Sequence, residues 1–249
     1  MSYRIKNAPA EFDGTVRALH VSWTIGRFGN HVKTITHAVI LARQLAIRRV
    51  YLKPLDHFEI AAPIHADGVT LLPEHMLEQE QAGAMLSGSF YHQPPFGEHM
   101  EIVREEDGAW AIRNFVRPLF RRKLQAPTFA PGDTDRAIHI RAGDIFASPR
   151  PHLHYVQPPL AFYQLCVGFA RERLGITRVI LLYENELNPC IGALKAWPRE
   201  IDLPFLVQSA DLAEDLAVLM AARHCVFGTR TFGPAIIKLS DCMATVFYP

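Results

Sequence analysis

Apolar residues come in short blocks along this chain, and their spacing separates strands from helices. Between Thr15 and Trp23, the run Val16, Ala18, Leu19 and Val21 has the length and composition of a buried strand. Thr24-Ile-Gly-Arg-Phe-Gly29 interrupts it as a glycine-containing loop. From Asn30 to Ile47 the apolar positions are Val32, Ile35, Ala38, Val39, Ala42, Leu45 and Ala46, which is helical spacing. Asn30 is placed to cap that helix, since its side chain can accept a first-turn N–H. Val50 to Lys53 is a second strand, closed by Pro54. The opening therefore reads as one βαβ unit.

In the middle of the chain the pattern predicts a strand at Val69–Leu72, a helix at Glu74–Ala84 and a strand near Met85–Tyr91. A further helix is expected at Trp110–Leu124. The proline- and glycine-bearing stretch Ala126 to Asp133 reads as a linker. Beyond it, strands and helices alternate. Strands are expected at Ala137–Arg141, Arg178–Glu184, Phe205–Val207, Cys225–Phe227 and Ala244–Phe247. Helices are expected at Pro159–Leu174, Asn188–Trp197, Asp211–Arg223 and Thr231–Leu239. The consecutive Ile180, Leu181 and Leu182 suit a parallel strand buried on both faces. Such alternation implies an α/β fold with a doubly wound parallel sheet. Ligands of these sheets bind beyond the carboxyl ends of the strands, which places Arg141, Glu184 and Gly228 along one crevice.

Composition adds exclusions. The 249 residues are 49% hydrophobic and 20% charged, with a net charge of +1. That is globular composition without the basic excess of a nucleic-acid binder. No apolar stretch approaches the roughly 20 residues of a membrane span, and residues 1 to 14 lack a signal-peptide core. Cys166, Cys190, Cys225 and Cys242 are scattered and form no CxxC pair. They read as reduced residues of a cytoplasmic protein rather than as a disulfide frame or metal site.

Two segments carry candidate chemistry. In Ala137-Ile-His-Ile-Arg-Ala-Gly-Asp144, alternation puts His139 and Arg141 on one face and Ile138 and Ile140 on the other. A guanidinium at the mouth of an α/β sheet suits a diphosphate, which its planar fork can grip with two bonds. In Cys225-Val-Phe-Gly-Thr-Arg-Thr-Phe232 a strand runs into a hydroxyl-rich turn and then a helix. The N–H groups and positive dipole end of that helix, with Thr229, Arg230 and Thr231, form a second phosphate-binding candidate. The plainer reading is that Thr231 caps its own helix. In the helix before it, Leu212, Leu216, Leu219 and Met220 form a core stripe, and Asp211 is the expected cap. Asp215 stands one residue off that stripe. It reads by itself as a surface charge, and it could accept hydrogen bonds from a base edge.

Three blocks in order resemble the fucosyltransferase superfamily, which includes α-1,2-fucosyltransferases, nodulation fucosyltransferases and protein O-fucosyltransferases. Gly26-Arg-Phe-Gly-Asn30 is similar to the family's GRFGNQ loop, His139-Ile-Arg-Ala-Gly-Asp144 to its HxRRGD motif, and Glu214 to Phe232 to its C-terminal block. The resemblance implies a GT-B arrangement of two Rossmann-like domains facing across a cleft, here residues 1–128 and 129–249. It implies inverting, metal-independent transfer from GDP-fucose to a hydroxyl acceptor, with no cofactor. By position, Arg141 would hold the β-phosphate, while His139 and Asp215 would contact guanosine. Asp144, Thr229, Arg230, Thr231 and Phe232 would complete the donor site. The loop Arg27, Phe28, Gly29 and Asn30 would close on the donor.

The chain departs from that pattern in places. Ala142 stands where the family has a second arginine, and Arg230 can replace that charge; His31 stands where glutamine is common. Candidate bases for the acceptor are His152, His154 and Glu184. The His152-x-His154 pair lacks the further ligands of a metal site. Two other readings are a nucleotide- or sugar-binding protein of the same fold without catalysis, motivated by Ala142, and a GXXG nucleic-acid module. The latter needs its loop between two helices, whereas this loop follows a strand. A related donor such as a rhamnosyl nucleotide is the alternative to fucose. Acceptor identity is not legible in the sequence.

Overall fold

The computed structural model describes residues 4–6, 15–77, 84–91, 104–122, 124–147 and 156–249. The chain divides into two compact units, residues 1–123 and 124–249.

The first unit contains β1 (Arg4–Lys6), β2 (Ala18–Val21), α1 (Phe28–Gln44), β3 (Arg49–Leu52), β4 (Ile64–Ala66), β5 (Val69–Pro73) and β6 (Met85–Gly88). They are followed by α2 (Glu105–Ala111) and α3 (Arg117–Arg121). The sheet order is β1-β6-β2-β3-β5-β4. β6, β2, β3 and β5 are parallel, and β1 and β4 add antiparallel edges. The antiparallel edges were not expected. β4 joins β5 through Asp67 and Gly68, both at positive φ (44° and 79°), which is the Asp-Gly hairpin turn.

Three expectations change here. Asn30 is not a cap: α1 begins at Phe28, its N-cap residue Arg27 makes no side-chain cap bond, and Asn30 N donates to Arg27 O inside the first turn. Gly26 at φ +69° turns the chain early enough to start the helix two residues sooner. After β5, Glu74–Leu77 is a short 3₁₀ turn; of the rest of the expected helix, 78–83 lie outside the described residues and Ala84 is not helical. The expected helix Trp110–Leu124 is instead α2 and α3 joined by a π-helical turn, Ile112–Val116. Pro118, in the first turn of α3, cannot donate an N–H, and a π turn just before it relieves the regular ladder.

The second unit contains β7 (Asp135–Ile140), α4 (Asp144–Ala147), α5 (Leu160–Leu174), β8 (Arg178–Tyr183), α6 (Pro189–Ala196) and α7 (Pro198–Ile201). It continues with β9 (Phe205–Gln208), α8 (Leu212–Ala221), β10 (His224–Phe227), α9 (Phe232–Leu239) and β11 (Thr245–Phe247). All five strands are parallel, in the order β11-β10-β7-β8-β9. Ile138 and Ile140 of β7 enter a core with Val179 and Leu181 of β8, Tyr163 and Val167 of α5, and Leu194 of α6. On the other face His139 meets α9. The sheet is therefore covered on both sides, which is why its strands read as near-continuous apolar runs. Cys166 and Cys225 are buried in it; burial raises the Cys166 thiol to about 11 and the Cys225 thiol to about 12, so both are unreactive thiols.

Candidate functional site

Strand order locates the site. From β7 the chain steps outward to β8 and β9, then returns to the opposite side of β7 with β10 and β11. The direction of winding reverses between β7 and β10, and doubly wound sheets bind ligands at the carboxyl ends of such a pair. β7 ends at Ile140 and β10 at Phe227, so Arg141 and the turn from Gly228 to Phe232 stand side by side at that switch point.

The two sequence blocks touch. The His139 ring stacks on Phe232, the first residue of α9, at 4.3 Å between centroids and 29° between planes. Burial, and secondarily the charge of Arg141, lower the His139 pKa to about 3. At neutral pH it is an uncharged imidazole with one donor and one acceptor, suited to polar recognition and unsuited to carrying charge.

The loop after β7 is fixed through its backbone. Asn188 Nδ2 donates to Arg141 O at 2.9 Å, and Gly143 N donates to Asn185 Oδ1 at 3.1 Å. Asn188 is itself buried; its Oδ1 accepts from Cys190 N at 3.0 Å and caps α6, with Pro189 at its first position. Arg141 thus presents a partly exposed side chain from an anchored main chain. Ala142 is fully buried in the core, so the second charge of the family pattern has no counterpart in this loop.

Gly143 sits at φ +66°, and a Cβ there would stand 2.8 Å from Glu184 Cδ and closer still to its Oε2. Gly143→Ala is therefore expected to displace Glu184 and to destabilise by about 1 kcal/mol from left-handed backbone strain. For a chain of this length that is roughly 2–4 °C in melting temperature, measured by scanning calorimetry. An unchanged melting temperature would show that the backbone relaxes out of the left-handed region.

The turn after β10 is pinned from outside. Thr229 Oγ1 donates to Val156 O at 2.6 Å. Arg230, exposed and at φ 95°, is held through its own backbone: its N–H donates to Tyr248 OH, and that hydroxyl donates to Arg230 O, both at 3.0 Å. Thr231 occupies the N-cap position of α9 with helical φ/ψ and makes no side-chain cap bond, so the plain capping reading does not hold. Beneath the turn, Gln157 Oε1 and Tyr163 OH are buried and without hydrogen-bond partners among the described residues. Both lie within 4 Å of where a Gly228 Cβ would be.

Asp211 does cap α8, accepting from Glu214 N at 2.9 Å. Asp215 is not a surface charge: it is 4% exposed and accepts from Gln208 Nε2 at 3.0 Å. Burial, reinforced by Asp211, Glu214 and Glu184, raises its pKa to about 6 against the Gln208 bond. Residues 215 to 219 are all buried, so α8 has no polar stripe on which position 215 could be exposed.

Other expected residues are placed elsewhere or not described. His152 and His154 lie outside the described residues, as does the side chain of Asp144. In the first unit, Phe28 is 1% exposed and packs on Phe58 and Phe120, while Arg27 is exposed. Asn185, Asn188, Gln157, Tyr163 and Gln208 were not expected; of these only Asn188-Pro189 carries a local signal, that of a helix start. Among the described residues, no group of three or more His, Cys, Asp or Glu is placed to hold a metal ion, and no helix is long and apolar enough to cross a membrane.

No protein-family model and no curated protein matches the chain. Among solved structures, the fold is similar to that of POFUT1 in complex with GDP, with a TM-score of 0.52 at 10% identity. That match covers 93% of this chain and 97% of the other. Two structures of POFUT1 in complex with GDP-fucose give TM-scores of 0.49 at 10% and 9% identity, with the same 93% of this chain covered and 97% and 96% of the others. The mixed α/β architecture with parallel sheets is therefore one found in a fucosyltransferase.

Proposed function

We propose that this chain is a glycosyltransferase of the fucosyltransferase type. It would transfer fucose, with inversion and without a metal, from GDP-fucose to a hydroxyl acceptor. The observation that carries the reading is the pairing of Arg141 with the Thr229–Phe232 turn at the switch point of a parallel sheet. In such a transfer the bond from sugar carbon to phosphate oxygen breaks, and negative charge grows on the departing diphosphate. Arg141 and the α9 N-terminus stand where that charge would be stabilised. Neutral His139 and buried Asp215 suit the base: a carboxylate can accept from paired N–H donors such as those of guanine. Glu184, exposed at the end of β8, is the described candidate for the acceptor proton, with His152 and His154 as the others.

GDP is expected to raise the melting temperature more than UDP or ADP does. At about 100-fold excess over its dissociation constant, a ligand of the native state alone contributes roughly 2.7 kcal/mol, or several degrees here. Stabilisation by UDP or ADP but not GDP would rule out the guanosine assignment. Release of GDP from GDP-fucose should be insensitive to EDTA; loss with EDTA and recovery with a divalent ion would end the metal-independent reading. Tight GDP binding with no turnover of any GDP-sugar would make the protein a binder.

A further inference from the structure

We infer that the first unit carries a ligand site of its own, for a compact, neutral, polyhydroxylated molecule of pyranose size. The site is a cavity of about 470 Å³ lined by residues of 52–60 and 73–75. It lies past the carboxyl ends of the parallel strands β3 and β5, which end at Leu52 and Pro73. That is the edge at which α/β sheets take ligands, and the size is that of a small-molecule pocket.

Its lining is mixed: Leu55, Phe58 and Ile60 are apolar, while Lys53, Glu59 and Glu74 are charged. A sugar ring matches such a wall, since its C–H face packs on carbon and its hydroxyls donate to carboxylates and accept from an ammonium.

Glu74 is held in a way that a surface carboxylate is not. Its Oε1 pairs with His20 Nε2 at 2.8 Å. His20, 6% exposed, also meets Ser87 Oγ through Nδ1 at 3.3 Å, and Ser87 Oγ donates to Ser22 Oγ at 2.8 Å. Strand β2 is otherwise wholly apolar and buried, with Ala18, Leu19 and Val21 at 0% exposure. An imidazole there costs stability unless both nitrogens are bonded. Nε2 donates to the Glu74 carboxylate and Nδ1 faces Ser87 Oγ, and the outer end of this chain fixes one oxygen of a partly exposed carboxylate on the cavity wall. Oε2 has no partner among the described residues. A pre-positioned acceptor binds a hydroxyl without the ordering cost that a free glutamate carries.

The site is built from the first unit alone, so it stands or falls separately from the nucleotide reading of the second. The test is saturation-transfer NMR on the full chain with methyl α-D-glucopyranoside, methyl β-D-galactopyranoside and methyl α-L-fucopyranoside, and with L-arginine as a cationic alternative. At least one glycoside should show saturation transfer. Glu74→Gln keeps a bond to His20 but removes the charge, and should weaken that binding about tenfold. Ile60→Ala, at a half-exposed position, should weaken it several-fold. Melting temperature and GDP binding of both variants should match wild type. No transfer to any glycoside, transfer to arginine alone, or glycoside binding undiminished in both variants would overturn the inference.

Discussion

Arg141→Ala is expected to abolish sugar transfer and weaken GDP binding while leaving the protein folded. The loop is anchored through its main chain, by Asn188 on Arg141 O and Asn185 on Gly143 N, so truncating the side chain leaves those bonds in place. The packing around it belongs to Ile138, Ile140 and Ala142, which are buried. A charge-assisted bond to phosphate contributes roughly 1.5–3 kcal/mol, or about 10- to 100-fold in GDP affinity. Turnover should fall further than affinity, because charge on the leaving diphosphate is greatest in the transition state. Arg141→Lys should recover only part of the loss, since an ammonium cannot reproduce the two-pronged grip. Isothermal titration with GDP and single-turnover release from GDP-fucose measure the two effects. A folded Arg141→Ala protein with wild-type turnover would remove the diphosphate site from this loop, and with it the main support for the proposed function.

Much of the second unit was legible because its signals are local. From residue 137 onward every expected strand and helix is present, the short α4 and α7 being additions, and Asp211 caps α8 as expected. Each of those readings depends on residues within a turn of one another. The Asp67-Gly68 hairpin was equally local and was missed, because Ile64–Ala66 is a three-residue strand, too short to show an alternating pattern. Asn30 failed as a cap because a positive-φ glycine four positions earlier decides where α1 begins, and glycine carries that freedom without announcing its use. The clamp on the Arg141 loop was out of reach: Asn185 and Asn188 act on residues more than 40 positions away, and only the pairing of β7 with β8 brings them together. Asp215 was misread for a related reason. A position off the apolar stripe is exposed only when the helix has a polar side, and tertiary packing has removed that side from α8.

That buried carboxylate carries the last prediction: Asp215→Asn should stabilise the free protein at pH 7 and weaken its hold on GDP. The raised pKa, from an ordinary 3.8 to about 6, means the folded state holds a proton that the unfolded state has released. Between about pH 4 and pH 6 the folded chain therefore binds more protons, and stability falls as pH rises through that window. At pH 7 the ionised, buried carboxylate costs the fold on the order of 1–3 kcal/mol. Asparagine keeps the size and the acceptor oxygen for Gln208 and removes the charge, so the melting temperature at pH 7 should rise by several degrees and its decline from pH 4 to 6 should flatten. Gln208 alone opposes the shift, while Asp211, Glu214 and Glu184 add to it, so those neighbours set how much of the gain survives. A carboxylate kept at such a cost is accounted for by a ligand that offsets it, as the N–H donors of a guanine edge would. GDP affinity in the wild type should then fall as pH drops below about 6, where Asp215 takes up a proton and loses an acceptor; in Asp215→Asn the affinity should be lower at pH 7 and flat across that range. Calorimetric melting and GDP titration from pH 4.5 to 8 read both effects. A variant that is no more stable at pH 7, or that binds GDP as wild type does at every pH, would return Asp215 to a packing role and leave the base-recognition half of the site without its anchor.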